Sequence, residues 1–262
     1  MAYNIEGKPL TDDADRFGAS RPPRDLLASI ASDANGRDAA RNAAEVISHP
    51  NGGAIGTVPV GGPLKRAFDI AAALCIILLT LPLILATTLL AALLGGGPML
   101  YAHTRVGFRG KEFQCLKFRT MVVDSEQRLA EYLASNPAAA EQWLQDRKLR
   151  DDPRVTWVGK ILRKTSLDEL PQLLNVVRGD MSLVGPRPIV ADELPRYGAR
   201  RAAYLSARPG MTGLWQVSGR NNTTYDRRTE LDESYVKNWT LVGDIGIILR
   251  TVPEMLPSSR AS

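Results

Sequence analysis

From residue 70 to residue 94 the chain reads IAAALCIILLTLPLILATTLLAALL without a charge, with Lys65 and Arg66 before it and Gly95-Gly96-Gly97-Pro98 after it. A stretch this long and apolar reads as membrane-inserted. At 1.5 Å per residue it makes a helix of about 37 Å against a hydrocarbon core of roughly 30 Å, so its length permits a span. Pro82 falls near the middle, removes one backbone donor and presses its ring on the carbonyl four residues earlier. The two arms, 70–81 and 83–94, each reach about 18 Å, half a bilayer, and the run could instead enter, bend at Pro82 and leave by the same face. Basic residues flank both ends, Lys65 and Arg66 on one side and Arg105, Arg109 and Lys111 on the other, and the positive-inside bias singles out neither. Residue physics alone favours the span, since membrane helices tolerate proline.

The 262 residues leave room for one domain and a tail, and 44% hydrophobic with 23% charged residues is ordinary for a globular protein. A mean hydropathy of −0.14 shows that the apolar content is concentrated. Residues 1–64 carry 6 basic and 8 acidic side chains, leaving 27 and 20 of the chain's 33 and 28 for the remainder. The positive balance therefore belongs to the part after the tail and favours anionic partners: lipid head groups, phosphorylated substrates or nucleic acid. Cys75 and Cys115, the only cysteines, make neither a disulfide framework nor a metal cluster, which points to a cytosolic soluble part. His49 and His103 are the only histidines, so a His-centred triad or a His-rich metal site has almost no material. Chemistry must rest on carboxylates, arginines and lysines. No helix-turn-helix or zinc pattern is present and the basic residues are interleaved with Asp and Glu, which argues against nucleic acid as the partner.

Residues 1–63, rich in Ala, Gly, Asp, Arg and Pro, read as a mostly disordered tail with one short amphipathic helix within 24–47 and no signal peptide. Beyond the apolar run, Gly110 between Phe108 and Phe113 marks the turn of a short β-hairpin. Residues 122–149 become charged and Ala-rich, a helical pattern interrupted at Asn136-Pro137, with Trp143 and Leu144 as buried points. Ser166-Leu-Asp-Glu169 matches a capping box ahead of an apolar run, although Pro171 moves the helix start by one to three residues. Two readings of Asp168 and Glu169 stay open on these grounds. They are plain helix-start carboxylates, or Asp168 is kept ionised by the helix terminus while Lys160, Arg163 and Lys164 hold phosphates against it. Arg187, fixed between Pro186 and Pro188, suits bidentate phosphate recognition, with an exposed turn arginine as the alternative. The stretch 208–221, RPGMTGLWQVSGRN, alternates small and polar residues like a loop that approaches a ligand with its backbone. Residues 231–256, with Tyr235 and Trp239, read as an interfacial helix or as core packing.

Together these motifs resemble the monotopic phosphoglycosyl transferases, bacterial enzymes that place a sugar phosphate on a polyprenol phosphate. The residues that carry the resemblance are Lys65-Arg66, Lys117-Phe-Arg-Thr-Met121, Asp151-Asp-Pro-Arg154, Thr165-Ser-Leu-Asp-Glu-Leu-Pro-Gln172, Gly179-Asp-Met-Ser-Leu-Val-Gly-Pro-Arg-Pro188, the run from Arg208 to Arg220, and Tyr235 to Trp239. The nearest subgroup is that of the hexose-1-phosphate transferases that initiate exopolysaccharide synthesis. The resemblance implies an α+β, mostly helical monotopic membrane enzyme: tail 1–63, re-entrant membrane helix 64–98, catalytic domain 99–256 with a short β-hairpin and interfacial amphipathic helices, and tail 257–262. In the family the membrane helix breaks at a Ser-Pro pair with both ends toward the cytoplasm. Here the pair is Leu81-Pro82, with Thr80 left to supply the hydroxyl bond, and the resemblance reverses the preference for a span.

Carried over residue by residue, the resemblance makes Asp168 the nucleophile and a magnesium-associated group. It gives Glu169 metal or geometric support, makes Arg187 a phosphate ligand, and assigns Lys117, Arg119 and Arg220 to the nucleotide sugar or the acceptor phosphate. The implied reaction attacks the sugar-bearing phosphorus of a UDP-sugar, releases UMP, and holds the phosphosugar on Asp168 until polyprenol phosphate takes it. Implied partners are the UDP-sugar, polyprenol phosphate and the lipid of the bacterial inner membrane, with the catalytic domain on its cytoplasmic face and no nucleic acid. A homo-oligomer and the downstream glycosyltransferases are further candidates, and a non-catalytic scaffold for polysaccharide machinery is the alternative function. No motif tells galactose from glucose.

Overall fold

In the computed structural model, residues 55–94, 97–146, 149, 151–219 and 223–255 are described. The helix expected within 24–47 and the tail 257–262 lie outside them, as does Arg220. The chain forms two units: one takes in Asp124–Arg154, the other the remaining described residues.

Helix α1, Gly62–Leu94, carries the apolar run and stays helical through Pro82. The missing N–H of Pro82 leaves the carbonyl of Leu78 without its ladder partner. Hydroxyls on either side bond the backbone: Thr80 Oγ1 donates to Ile76 O at 2.7 Å, and Thr87 Oγ1 lies 2.9 Å from Leu83 O. Thr80 thus makes the bond expected of it, of the kind that bends a helix without ending it. Leu78, Leu79, Leu81, Leu83, Leu85 and Leu89 are all exposed. Burying each is worth about 1.5–3 kcal/mol, so this part of the helix is stabilised by an apolar medium.

The start of α1 is the opposite. Lys65 and Asp69 are buried, Lys65 Nζ lies 2.7 Å from Asp244 Oδ2, and Asp69 accepts from Ser182 Oγ at 2.8 Å and Leu183 N at 3.2 Å. Arg66 donates to Val176 O and Val177 O, at 2.5 and 2.8 Å.

Strands β1, Leu100–Val106, and β2, Glu112–Phe118, pair antiparallel from Leu100↔Phe118 to Val106↔Glu112 around a 3-10 turn at Phe108–Gly110, the hairpin the sequence predicts. Helices α2, Ser125–Ser135, and α3, Pro137–Asp146, make up the smaller unit and break at Asn136-Pro137, also as predicted. Its core is Leu129, Leu133 and Trp143. Arg154 lies 5.1 Å from the Trp143 ring and forks onto Asp152 at 2.8 and 2.7 Å.

The larger unit resumes with α4, Trp157–Lys164, whose N-terminus is capped by Thr156 Oγ1 accepting from Gly159 N at 2.9 Å. A 3-10 turn at Leu167–Glu169 leads into α5, Gln172–Arg178, and β3, Ser182–Val184. A 3-10 stretch, Ala191–Arg200, is followed by α6, Arg201–Leu205, and β4, Gly210–Thr212, which pairs parallel to β3. Helices α7, Tyr225–Lys237, and α8, Leu241–Met255, finish it. The fold is mostly helical with a short hairpin, as expected; no motif announces the β3–β4 pair.

Three local expectations are corrected. The capping box does not form: Ser166 sits at φ 56° with no capping bond, and Lys117 takes the Glu169 carboxylate, so the helix begins only after Pro171. In the stretch 208–219, Gly210 and Gly213 admit neighbouring backbone, since a Cβ at Gly210 would collide with Gly185 N and one at Gly213 with Gly185 O. The segment 231–256 is two helices. Tyr235 and Trp239 turn inward onto Asp244 at 2.8 and 2.9 Å, while Val242, Ile245, Leu249 and Val252 are exposed.

Candidate active site

Three pieces of the larger unit converge: the inner face of the hairpin, the turn carrying Asp168, and the loop carrying Arg187. Strand alternation places Tyr101, His103 and Arg105 of β1 on one face with Phe113, Cys115 and Lys117 of β2. Phe113 and Cys115 pack with Leu173 and Val176 of α5, while Leu100, Ala102 and Thr104 on the other face are exposed. Lys117 Nζ reaches Glu169 Oε1 at 2.6 Å. The Arg187 loop is fastened to β1 by Val106 N donating to Ile189 O at 2.9 Å and through Tyr204, whose hydroxyl accepts from Ile189 N at 3.3 Å and donates to Val106 O at 2.7 Å.

Asp168 is buried, 8% exposed, and no other side chain among the described residues pairs with its carboxylate. Burial lifts its pKa above the usual carboxylate range. Lys117 and Arg163 oppose that rise, and the charge of Glu169 adds to it. This corrects the expectation of an aspartate at a helix terminus: the residue lies in a 3-10 turn ahead of α5, where burial outweighs the lowering by Lys117 and Arg163. Arg163 is itself fixed by Nε donating to Thr120 Oγ1 at 2.9 Å.

Arg187 lies 5.7 Å from the ring of buried Trp215, and Arg228 of α7 lies 4.8 Å from the same ring. Neither has a carboxylate partner among the described residues. Behind them, Asp232 accepts from Tyr197 OH at 2.8 Å, and burial pushes its pKa up to about 7, opposed by the Tyr197 bond and by Arg187. No group of three or more His, Cys, Asp or Glu that could hold a metal occurs among the described residues. Magnesium commonly takes one or two protein carboxylates and completes its shell with substrate phosphates and water, and the unpaired carboxylate of Asp168 fits that use.

A family model described as bacterial sugar transferase matches residues 61–258. The chain belongs to that family. An exopolysaccharide production protein, ExoY, of Sinorhizobium fredii is 51% identical over 195 residues, 74% of this chain and 86% of the relative. An undecaprenyl-phosphate galactose phosphotransferase of Salmonella typhimurium is 54% identical over 193 residues, 74% of this chain but 40% of that longer protein. A UDP-glucose:undecaprenyl-phosphate glucose-1-phosphate transferase of Caulobacter vibrioides is 42% identical over 221 residues, 78% of this chain and 77% of that one.

In this bacterial sugar transferase the residues singled out from sequence divide. Asp168, Glu169 and Lys117 come together, and Arg163 acts electrostatically on Asp168. Arg187 approaches the same hairpin face, within electrostatic reach of Arg105 and Cys115. Arg119 lies one step along the same face: its Nε donates to Pro98 O at 2.9 Å and its guanidinium lies 5.5 Å from the ring of Tyr101, the residue opposite Lys117. Lys160 and Lys164 make no hydrogen bond or ion pair with Asp168.

Sequence reasoning missed His103, Arg105, Arg228 and Asp232. For His103 and Arg105 a signal was present. Once the turn sits at Gly110, residues 103 and 105 share a face with 115 and 117, the face that carries Lys117.

Proposed function

We propose that this chain transfers a hexose-1-phosphate from a UDP-sugar to undecaprenyl or a similar polyprenol phosphate, as the first membrane step of exopolysaccharide or related glycan assembly. The observation that carries the mechanism is the buried, unpaired Asp168 carboxylate set among Lys117, Arg163 and Glu169. A carboxylate oxygen of Asp168 attacks the phosphorus that bears the sugar. The bond to the bridging oxygen breaks and UMP leaves with the electron pair. The phosphosugar then sits on Asp168 as an acyl phosphate until an oxygen of polyprenol phosphate attacks the same phosphorus and Asp168 departs as carboxylate. Poor solvation raises the energy of the free carboxylate and favours its attack, while Lys117, Arg187 and Arg228 are placed to spread phosphate charge.

Glu169, whose carboxylate holds Lys117 at 2.6 Å, positions that lysine. The acceptor phosphate is already ionised near neutral pH, so a general base has little to do. Magnesium, held through Asp168, would supply further neutralisation of phosphate charge.

The same reading places α1 as a re-entrant membrane helix with both ends toward the cytoplasm and the catalytic unit on the inner membrane's cytoplasmic face. Support comes from both ends of α1 packing on one unit: Lys65 and Asp69 on Asp244 and Ser182, and Leu90 on the cluster of Phe118, Val158 and Leu162. Thr57→Cys and Ser125→Cys, each in a Cys75→Ala, Cys115→Ala background, should both resist a membrane-impermeant thiol reagent in intact spheroplasts. Labelling at position 57 alone would establish a span.

The chemistry is tested by single turnover. With UDP-sugar and magnesium but no polyprenol phosphate, the enzyme should release about one UMP per active site and stop, with a hexose-phosphate adduct on the peptide containing Asp168. A panel of UDP-sugars in the same assay names the hexose. UMP release that depends on polyprenol phosphate from the first turnover would overturn the covalent route, and no release with any UDP-sugar would favour the scaffold.

A further inference from the structure

The hairpin's inner face carries a group that this reaction leaves unused. His103 lies directly opposite Cys115 and one diagonal from Lys117, the lysine that reaches Glu169. Its Nδ1 is 3.0 Å from Arg105 Nη2. A guanidinium only donates, so Nδ1 must be the acceptor, and the proton of the neutral ring sits on Nε2. Burial, then the charges of Arg105 and Lys117, push the pKa of His103 down to about 4, so the ring is neutral at physiological pH. No acceptor among the described residues meets Nε2. The ring therefore offers one directional, uncharged N–H donor beside Arg105 and Lys117, which are paired on their far sides with Glu193 at 3.9 Å and Glu169 at 2.6 Å, with Arg187 on the adjoining loop.

We propose that His103 donates its Nε2–H to a phosphate oxygen of a substrate bound at Asp168. The assignment rests on the phosphotransfer reading above and adds a substrate-binding residue to it. The charges that act on the ring, Arg105 and Lys117, are both positive and favour an anion at its free N–H. A fourth cation here would be repelled by Arg105 and Lys117, whereas a neutral imidazole adds a hydrogen bond without that penalty. Arg105 acts as the positioning residue: its Nη1 lies 3.4 Å from Pro188 O and 3.9 Å from Glu193 Oε1, which ties the imidazole to the Arg187 loop. Two substrates carry such oxygens, the pyrophosphate of the UDP-sugar and the monophosphate of the polyprenol.

The test measures equilibrium binding, so it does not depend on turnover. Full-length Asp168→Asn protein in nanodiscs is titrated with UDP-hexose and, separately, with a short-chain polyprenol phosphate, alone and combined with His103→Phe or His103→Gln. The Gln amide nitrogen stands close to where Nε2 stood. His103→Phe should weaken one of the two ligands by about tenfold and His103→Gln should restore most of it, the affected ligand naming the source of the phosphate. Selective ¹⁵N-histidine labelling gives a readout without substitution at 103. The chain has two histidines, His49→Gln removes the other signal, and the Nε2 resonance of His103 should move on saturation with the same ligand. Unchanged affinities with an unmoved resonance would overturn the His103 assignment while leaving phosphotransfer intact. Failure of both the parent protein and Asp168→Asn to bind either ligand would overturn the phosphotransfer reading, and this assignment with it.

Discussion

Asp244 and Asp168 are both buried aspartates of the same unit, and they differ in what surrounds them. Asp244, 0% exposed, receives Lys65 Nζ at 2.7 Å and Trp239 Nε1 at 2.9 Å on one oxygen and Tyr235 OH at 2.8 Å on the other. Asp168 is nearly as buried, yet no other side chain among the described residues bonds it, and its cations act from a distance. A satisfied buried charge is fixed in place and chemically inert. A buried carboxylate that no other side chain bonds keeps its lone pairs for a ligand, and it is free to react. The first ties α1 to the core; the second is the proposed nucleophile.

The difference predicts opposite phenotypes for the same substitution. Asp168→Asn should lower turnover by on the order of 10⁴-fold or more and abolish the UMP burst and the adduct, with thermal stability unchanged or raised, because an ill-solvated charge has been removed. Full activity in folded Asp168→Asn protein would return Asp168 to a structural role. Asp244→Asn should do the reverse, leaving buried Lys65 with only the longer pair to Asp69, at 3.6 Å, and costing up to about 3–5 kcal/mol by thermal or denaturant unfolding. Protein that does fold should keep its burst amplitude per folded site. If Asp244→Asn instead loses the burst at unchanged stability, satisfaction is no guide to role here.

Which carboxylate is which was only half legible in the sequence. Asp168, Glu169, Lys117 and Arg187 announce themselves because local motifs carry them: a turn, a strand and a proline-locked loop. The partners of Asp244 do not. Lys65 is 179 residues away along the chain, and Asp69 meets Ser182 across 113. No periodicity reports contacts of that range. The capping box failed for a local reason, since Ser166 adopts a left-handed backbone that no sequence rule forces on serine. Arg119 shares a motif with Lys117 and follows it by two positions, just past the end of the strand, where it lies over the ring of Tyr101, the residue opposite Lys117. The hairpin itself, the break at Asn136-Pro137 and the apolar helix were readable because each is set by neighbours within a few residues.

Asp232 lies between the two extremes, with one hydroxyl bond from Tyr197 and the field of Arg187. Its folded pKa of about 7 lies above the unfolded value, so the folded state binds the extra proton between about pH 4 and 7. The stability this gives is fully present below the unfolded pKa and is lost as pH rises through about 7. Asp232→Asn, which still accepts from Tyr197, should therefore gain melting temperature relative to the parent on going from pH 5 to pH 8. A difference that stays constant across that range would mean that Asp232 is ionised throughout, its charge satisfied like that of Asp244.

Glu169 supplies the smallest and most discriminating effect. Its pair with Lys117 is short, 2.6 Å, but the two side chains are 40% and 35% exposed, so solvent screens it and its loss should cost at most about 1 kcal/mol of stability. Glu169→Gln keeps an oxygen that can accept from Lys117 and removes only the charge. If Glu169 serves to position Lys117, the burst should slow by roughly 10–100-fold, the size seen when a group orienting a reactive residue is changed, while the adduct stays on Asp168. The loss of a negative neighbour should also lower the pKa of Asp168, since Glu169 contributes to raising it, and the acid limb of the burst-rate profile should shift to lower pH. Adduct formation that vanishes in Glu169→Gln, or an acid limb that stays in place, would show that the two neighbouring carboxylates share the chemistry and that Asp168 does not act alone.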